Sequence, residues 1–139
     1  MGGIIQLKYL LDTHIWIWSV SKPEKLSKQV FSILKDKSNE LYISSISIWE
    51  FLVLLEKSRI SIEDSVENWL NSAIGDANIE EIPIDREIVI ESRRLTLPHQ
   101  DPADRFIAAT AWVHSLTLIT SDEKLASSNE ISILDNRVR

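Results

Sequence analysis

The sequence predicts an α/β fold, a central parallel β-sheet flanked by α-helices. Two observations carry the prediction. Short apolar runs alternate with helix-length amphipathic stretches, the order produced by a parallel sheet with helical crossovers. Acidic residues also stand just beyond several of these runs, where the strand ends of such a sheet would meet. The composition permits this fold. A chain of 139 residues with 44% hydrophobic and 26% charged residues has the size and balance of one globular domain. With three glycines, four prolines and no low-complexity stretch or repeat, residues 1–139 read as a single domain.

The elements follow in order. Lys8 to Leu11 reads as a buried strand, and His14 to Val20 as a short helix that Pro23 punctuates. From Ser27 to Asp36 the apolar positions 30, 31, 33 and 34 form a helical stripe. Glu40 to Ser44 reads as a strand. Ser47 to Lys57, with Ile48, Trp49, Phe51, Leu52, Leu54 and Leu55, reads as a mostly buried helix. Ile62 to Ala73 places Val66, Trp69, Leu70 and Ala73 on one helical face, with Gly75 as its end. Ile79 to Ile84 alternates like a strand, and Asp85 to Leu95 has the pattern of a helix. Residues 97–102 form a loop that delivers Asp101 as a cap and Pro102 as the first residue of a helix running to His114. Leu116 to Thr120, a helical turn from Glu123 to Ser127 and a short strand from Ile131 to Leu134 complete the order.

Parallel strands joined by right-handed crossovers share one C-terminal edge, the edge where open α/β sheets bind ligands. Asp12 and Asp122 follow strands, Glu50 lies in the first turn of a helix leaving a strand, and Asp104 opens the helix that feeds a late strand. Each acid alone has a plain explanation. Asp12, Asp101 and Asp122 suit helix caps, Ser47 and Glu50 match a capping box, and Asp104 suits a helix dipole. Together they pose an electrostatic problem. Two carboxylates ~5 Å apart repel by ~3 kcal/mol at an effective dielectric of ~20. A divalent cation removes the problem, and all-oxygen ligands suit Mg²⁺ or Mn²⁺, the ions of phosphoester chemistry. Thr13, Ser44, Thr120 and Ser121 are candidates to orient the carboxylates or to bond phosphate. His14 and Arg105 are candidates for substrate contact. Asp101 and His99 stand at the margin of the site, each as well explained by loop or cap bonding. The tryptophans at 16, 18, 49, 69 and 112 read as core or interface, with Trp16 and Trp18 candidates for a dimer or partner surface.

Other features narrow the function. The formal charge of −6 argues against a broad basic face for duplex binding, although lysines bunch at 22, 25 and 28 and again at 35 and 37. The absence of cysteine excludes disulfides and thiolate metal sites and agrees with a reducing, cytoplasmic setting. No apolar run approaches the ~18 residues of a membrane span. Neither a secretory leader nor an acylation signal is expected, since Gln6 stands where a myristoylation motif has Ser or Thr.

Four segments in this order then carry a resemblance: Leu10-Leu11-Asp12-Thr13-His14; Ser44-Ser45-Ile46-Ser47-Ile48-Trp49-Glu50; His99 through Ala111; and Leu118-Ile119-Thr120-Ser121-Asp122. The set resembles the PIN-domain family, and within it the VapC-type toxins of prokaryotic toxin–antitoxin pairs. The resemblance covers essentially the whole chain and implies a three-layer PIN fold. It implies a Mg²⁺- or Mn²⁺-dependent endoribonuclease whose four acids are Asp12, Glu50, Asp104 and Asp122, with Thr120 as the hydroxyl residue before the last. It further implies a homodimer and a small cognate antitoxin that covers the site. Ala103 departs from the Phe common in relatives, a change expected to alter packing and not ligation, and Gly2-Gly3 before the first strand is unusual.

Other classes fit less well. A receiver domain would want an acidic pair near the first strand and a late lysine. A haloacid-dehalogenase-like phosphatase would want Asp where His14 stands. A catalytically silent PIN-like module that binds RNA or a partner is the remaining alternative, opposed by the presence of all four acids.

Overall fold

The structure is a computed structural model that describes residues 7–98 and 100–137; Gly2, Gly3 and His99 lie outside the described residues. Five parallel strands form one sheet in the order β3-β2-β1-β4-β5. They are β1 (Lys8–Leu11), β2 (Glu40–Ser44), β3 (Ile79–Ile82), β4 (Thr117–Thr120) and β5 (Ile133–Asp135). The register pairs Leu10 with Tyr42 on one side and with Leu118 on the other. Seven helices among the described residues cover the sheet: α1 (Thr13–Ser21), α2 (Lys28–Lys35), α3 (Ser45–Glu56), α4 (Val66–Leu70), α5 (Arg86–Arg94), α6 (Pro102–His114) and α7 (Glu123–Ala126). None is long and apolar enough to cross a membrane.

Alternation along the strands creates the three layers. Tyr9, Leu11, Leu41, Ile43 and Ile119 face one core with Ile15, Trp16, Val30 and Phe51. Leu10 and Leu118 face the other with Ile88, Ile107, Ala108 and Leu125. The small alanines of α6 let that helix lie close against the sheet, and all of Ala103, Ala108, Ala109 and Ala111 are buried. Of the two readings for Trp16, core or partner surface, the structure gives core: it is fully buried. Its indole N–H donates to the Ala73 carbonyl at 3.0 Å, and its ring packs edge-on against Phe51 and Trp69.

Local chemistry moves several boundaries from those the periodicity predicts. α3 starts at Ser45 and not Ser47, because β2 runs directly into it and Ser44 caps it, accepting from Ile46 N at 3.1 Å. The helix expected from Ile62 begins only at Val66. Ser65 is its cap, and Asp64 accepts from Ser65 N and Asn68 Nδ2, bonding that competes with an earlier helical start. Gly75 does not end this segment: a wider π-type turn, Asn71–Asp76, follows α4, and within it the Ala73 carbonyl is turned to Trp16. β3 stops at Ile82 because Pro83 has no N–H for the ladder. β5 starts at Ile133, where pairing with Leu118 begins.

Candidate active site at the β1–β4 edge

The strand order reverses between β1 and β4, since β2 and β3 lie on one side of β1 and β4 and β5 on the other. That reversal opens a crevice at the strands' C-terminal ends. Asp12 is the first residue after β1, and its N–H donates to the Ile119 carbonyl at 3.0 Å. It caps α1, Oδ1 accepting from Thr13 N at 2.8 Å. Its other oxygen, Oδ2, accepts from Thr120 Oγ1 at 2.7 Å. Thr120 in turn accepts from the Asp122 N–H at 3.0 Å. Asp122 lies half-buried at the start of α7 and accepts through Oδ1 from Lys124 N at 2.9 Å and Leu125 N at 3.3 Å.

Glu50 enters from the other flank. It lies in the second turn of α3, not the first, and takes no part in capping. Thr13 Oγ1 is hydrogen-bonded to Glu50 Oε1 at 2.5 Å and to Ser47 Oγ at 2.8 Å. The capping box expected of Ser47 and Glu50 is therefore absent: Ser44 caps the helix, which leaves both side chains to face Thr13. Ser44, expected as a phosphate or carboxylate contact, is buried and spent on the cap. Ser47 is a site neighbour that the sequence reading did not single out. It is buried, and its place one turn before Glu50 on the same face of an apolar helix is the signal that would have found it.

Burial dominates the electrostatics. Asp12 is 7% exposed. Desolvation pushes its pKa above the ordinary 3.8, against the Thr120 and Thr13 hydrogen bonds and the charge of His14; the charge of Asp122 pushes it further up. Glu50 is likewise raised from the ordinary 4.5, first by desolvation, and the charges of Asp12 and Asp101 add to the rise against the Thr13 bond. Asp122 thus lies within electrostatic reach of Asp12, and Asp12 and Asp101 within reach of Glu50. Asp104 is half-buried in the first turn of α6, one turn from Asp101.

The remaining candidates divide. Asp101 caps α6, accepting from Ala103 N at 2.9 Å, and remains exposed. Ser121 is half-buried between Thr120 and Asp122, and His14 is exposed on the first turn of α1. Arg105 is not at the substrate face. It is 5% exposed, Nε donating to the Ser92 carbonyl at 2.8 Å and Nη2 to the Leu95 carbonyl at 2.6 Å. Helix ends leave carbonyls without partners, and at the end of α5 this guanidinium supplies the donors. Ala103 is buried, so a bulkier side chain there would bear on packing.

The donor set is all oxygen and fits a hard divalent cation, which would offset the cost of the buried carboxylates. Among the described residues no three His, Asp or Glu side chains close around one point. A Mg²⁺ ion, which keeps several waters, would need only one or two of these carboxylates.

Residues 9–130 match the family model of the PIN domain. The chain belongs to the PIN-domain family. It is 31% identical over 121 residues to Ribonuclease VapC22 of Mycobacterium tuberculosis, covering 85% of this chain and 89% of that one. Among solved structures it is similar to VapBC2 of Rickettsia felis bound to a promoter DNA fragment, with a TM-score of 0.67 and 18% identity over 94% of this chain and 100% of that one. A toxin–antitoxin complex from Klebsiella pneumoniae gives a TM-score of 0.65 with 22% identity, covering 94% and 99%. The three-layer sandwich expected from the sequence is thus the PIN fold.

Proposed function

We propose that this PIN-domain chain is a Mg²⁺- or Mn²⁺-dependent endoribonuclease and the toxin of a toxin–antitoxin pair. One observation carries the reading: an unbroken hydrogen-bonded path from the Asp122 N–H through Thr120, Asp12 and Thr13 to Glu50. It joins three elements distant in sequence around the carboxylates at the sheet edge, as a site for phosphodiester cleavage requires. Asp12, Asp104, Asp122 and Glu50 are the candidate ligands, of which a cation that keeps several waters would take one or two directly. A bound divalent cation supplies a Lewis acid for the phosphoryl oxygen and lowers the pKa of an attacking water.

The chain's own residues then have separate tasks. Thr13 N–H and Thr120 Oγ1 each occupy one oxygen of Asp12, so its carboxylate cannot swing between rotamers. Glu50, raised by burial, is a stronger base than an ordinary glutamate and is suited to take a proton from water. His14 stands exposed beside Asp12, where substrate would pass.

The name of the VapC22 relative supports RNA as substrate, and the titles of the similar complexes support a small antitoxin as partner. The resemblance adds a homodimer, for which exposed Trp49, Trp112, Val89 and Ile90 offer apolar surface. We place the protein in the cytoplasm, as one PIN unit over the whole chain. The test is cleavage of single-stranded RNA with Mg²⁺, with Mn²⁺ and with chelator, by wild type and Asp104→Asn. Cleavage only by wild type with metal is expected. Activity that survives both chelation and the substitution ends the reading.

A further inference from the structure

α1 carries a second group of side chains that the acids do not account for. His14 and Trp18 are four residues apart and so share one helical face, about 6 Å apart along the axis. Their ring centroids are 5.7 Å apart with planes inclined at 53°. Lys25 Nζ sits 5.2 Å from the centroid of Trp18. His14 and Lys25 are exposed, while Trp18 is half-buried with part of its ring against the core, which fixes it in place. Between positions 22 and 28, Lys22, Lys25 and Lys28 face a single acid, Glu24, a local positive surplus in a chain of net charge −6. His14 is two residues from Asp12 and near enough for its charge to act on that carboxyl.

We propose that His14, Trp18 and Lys25 form a subsite that holds an unpaired base of the RNA substrate and its phosphate beside the acids. The proposal rests on the ribonuclease reading above. Aromatic rings accept any base by stacking, and a neighbouring lysine takes the phosphate, the combination found where single strands are bound without sequence readout. A base paired in a helix cannot reach these rings, so the subsite selects single-stranded segments. A protein partner would call for a wider apolar surface than two rings with a lysine against one of them.

The experiment uses the full chain in the Asp104→Asn background, which leaves RNA intact. The probe is a mixed-sequence single-stranded octaribonucleotide, compared with versions carrying one abasic position, and binding is read by fluorescence polarisation. Trp18→Ala and His14→Ala should each weaken binding about 5- to 100-fold, with Trp18→Phe retaining most of it. One abasic position should reproduce the loss when Trp18 is present and add little in Trp18→Ala. Lys25→Ala should flatten the salt dependence. Melting temperatures of the variants separate misfolding from loss of contact. Trp18→Ala binding the octamer as well as its parent overturns the subsite, and wild-type cleavage of the same RNA then leaves the ribonuclease reading standing. A loss equal for intact and abasic strands removes stacking and overturns the subsite as well. Unchanged RNA binding together with loss of a protein partner reassigns this face to protein contact. Wild type that neither binds nor cleaves RNA removes both proposals.

Discussion

On the β1–β4 side of the candidate site, Asp12 and Glu50 accept from donors in other parts of the chain; on the α6 side, Asp101 is held by its own helix, as Asp122 is by α7. Thr120, 108 residues away in sequence, fixes Asp12, and Thr13, 37 residues away, fixes Glu50. Asp101 accepts from Ala103 two residues on. Next to it Arg105 turns inward to the end of α5. The first kind of contact exists only in the folded chain, and it places buried charge where solvation alone would not put it. The second kind would form in most helices beginning Asp-Pro. One side is thus organised by long-range contacts, while the other is organised first by its own helix, which carries Asp104 in its first turn.

Asp12→Asn tests the organised side most severely. Loss of a group that merely orients a metal ligand typically costs 10- to 100-fold in activity, so loss of the ligand itself should lower RNA cleavage by at least about 100-fold. The fold should not suffer, because the amide fills the same volume and can still accept from Thr13. The pH dependence adds a second readout. The folded pKa of Asp12 is raised above 3.8 and that of Glu50 above 4.5. For raised carboxyls, the stabilising contribution is complete below the unfolded pKa and disappears as pH climbs through the folded value. In chelator, the wild-type melting temperature should therefore fall as pH rises through that window, and Asp12→Asn should fall less. Mg²⁺ should restore wild type more than the variant. Equal slopes for the two proteins would show that Asp12 does not carry the destabilising charge.

Thr120→Val breaks the same side one step out. The shape is kept, but Asp12 Oδ2 loses its donor and the Asp122 N–H its acceptor. A 10- to 100-fold loss of cleavage is expected, with roughly 1–3 kcal/mol of stability lost at a site that is fully buried. Thr120→Ser should recover most of the activity. If valine and serine behave alike, the hydroxyl is not what positions Asp12.

Arg105→Met tests the α6 side. Two buried carbonyls lose their donors, so stability should drop by about 1–3 kcal/mol, seen in urea unfolding. Cleavage by the protein that remains folded should stay within about twofold. Lysine should rescue poorly, because one ammonium cannot reproduce the planar fork. A raised KM with unchanged stability would return Arg105 to the substrate face and erase the contrast.

The contrast also explains what the sequence revealed. Strand runs and amphipathic helices follow from local periodicity, so the parallel sheet and its acidic edge were legible from spacing alone. Asp101-Pro102 was legible because capping is a contact between near neighbours. The Ser47–Glu50 pair offered a cap as the plain alternative for the same reason. Its spacing matches a cap, and only the absence of a loop between β2 and α3 shows that Ser44 takes that task. Arg105 was misplaced, and Trp16 left between core and partner surface, because their partners, Ser92, Leu95 and Ala73, are backbone carbonyls, which carry no signature in side-chain identity. The role of Thr120 depended on which strand lies beside β1, which sheet order decides and periodicity does not.

The smallest expected effect lies at the far end of α6. Ser115 ends that helix in the left-handed conformation, φ 55°, with its N–H directed to the Ala111 and Trp112 carbonyls. Leu116 N adds a bond to Ala111 O at 2.9 Å. Glycine is the usual residue at such a position, because a Cβ is strained there. Ser115→Gly relieves that strain but also loosens the unfolded chain, so the net gain should be only about 0.5–1 kcal/mol. Ser58, at φ 56° after α3, offers the same change on the helix that carries Glu50. If the two sides differ as argued, both glycines should raise the melting temperature by a few degrees and neither should alter cleavage, since each acts beyond the hydrogen-bonded path. A change in cleavage from Ser58→Gly but not from Ser115→Gly would show that the end of α3 is coupled to Glu50, and the organised side would then extend along that whole helix.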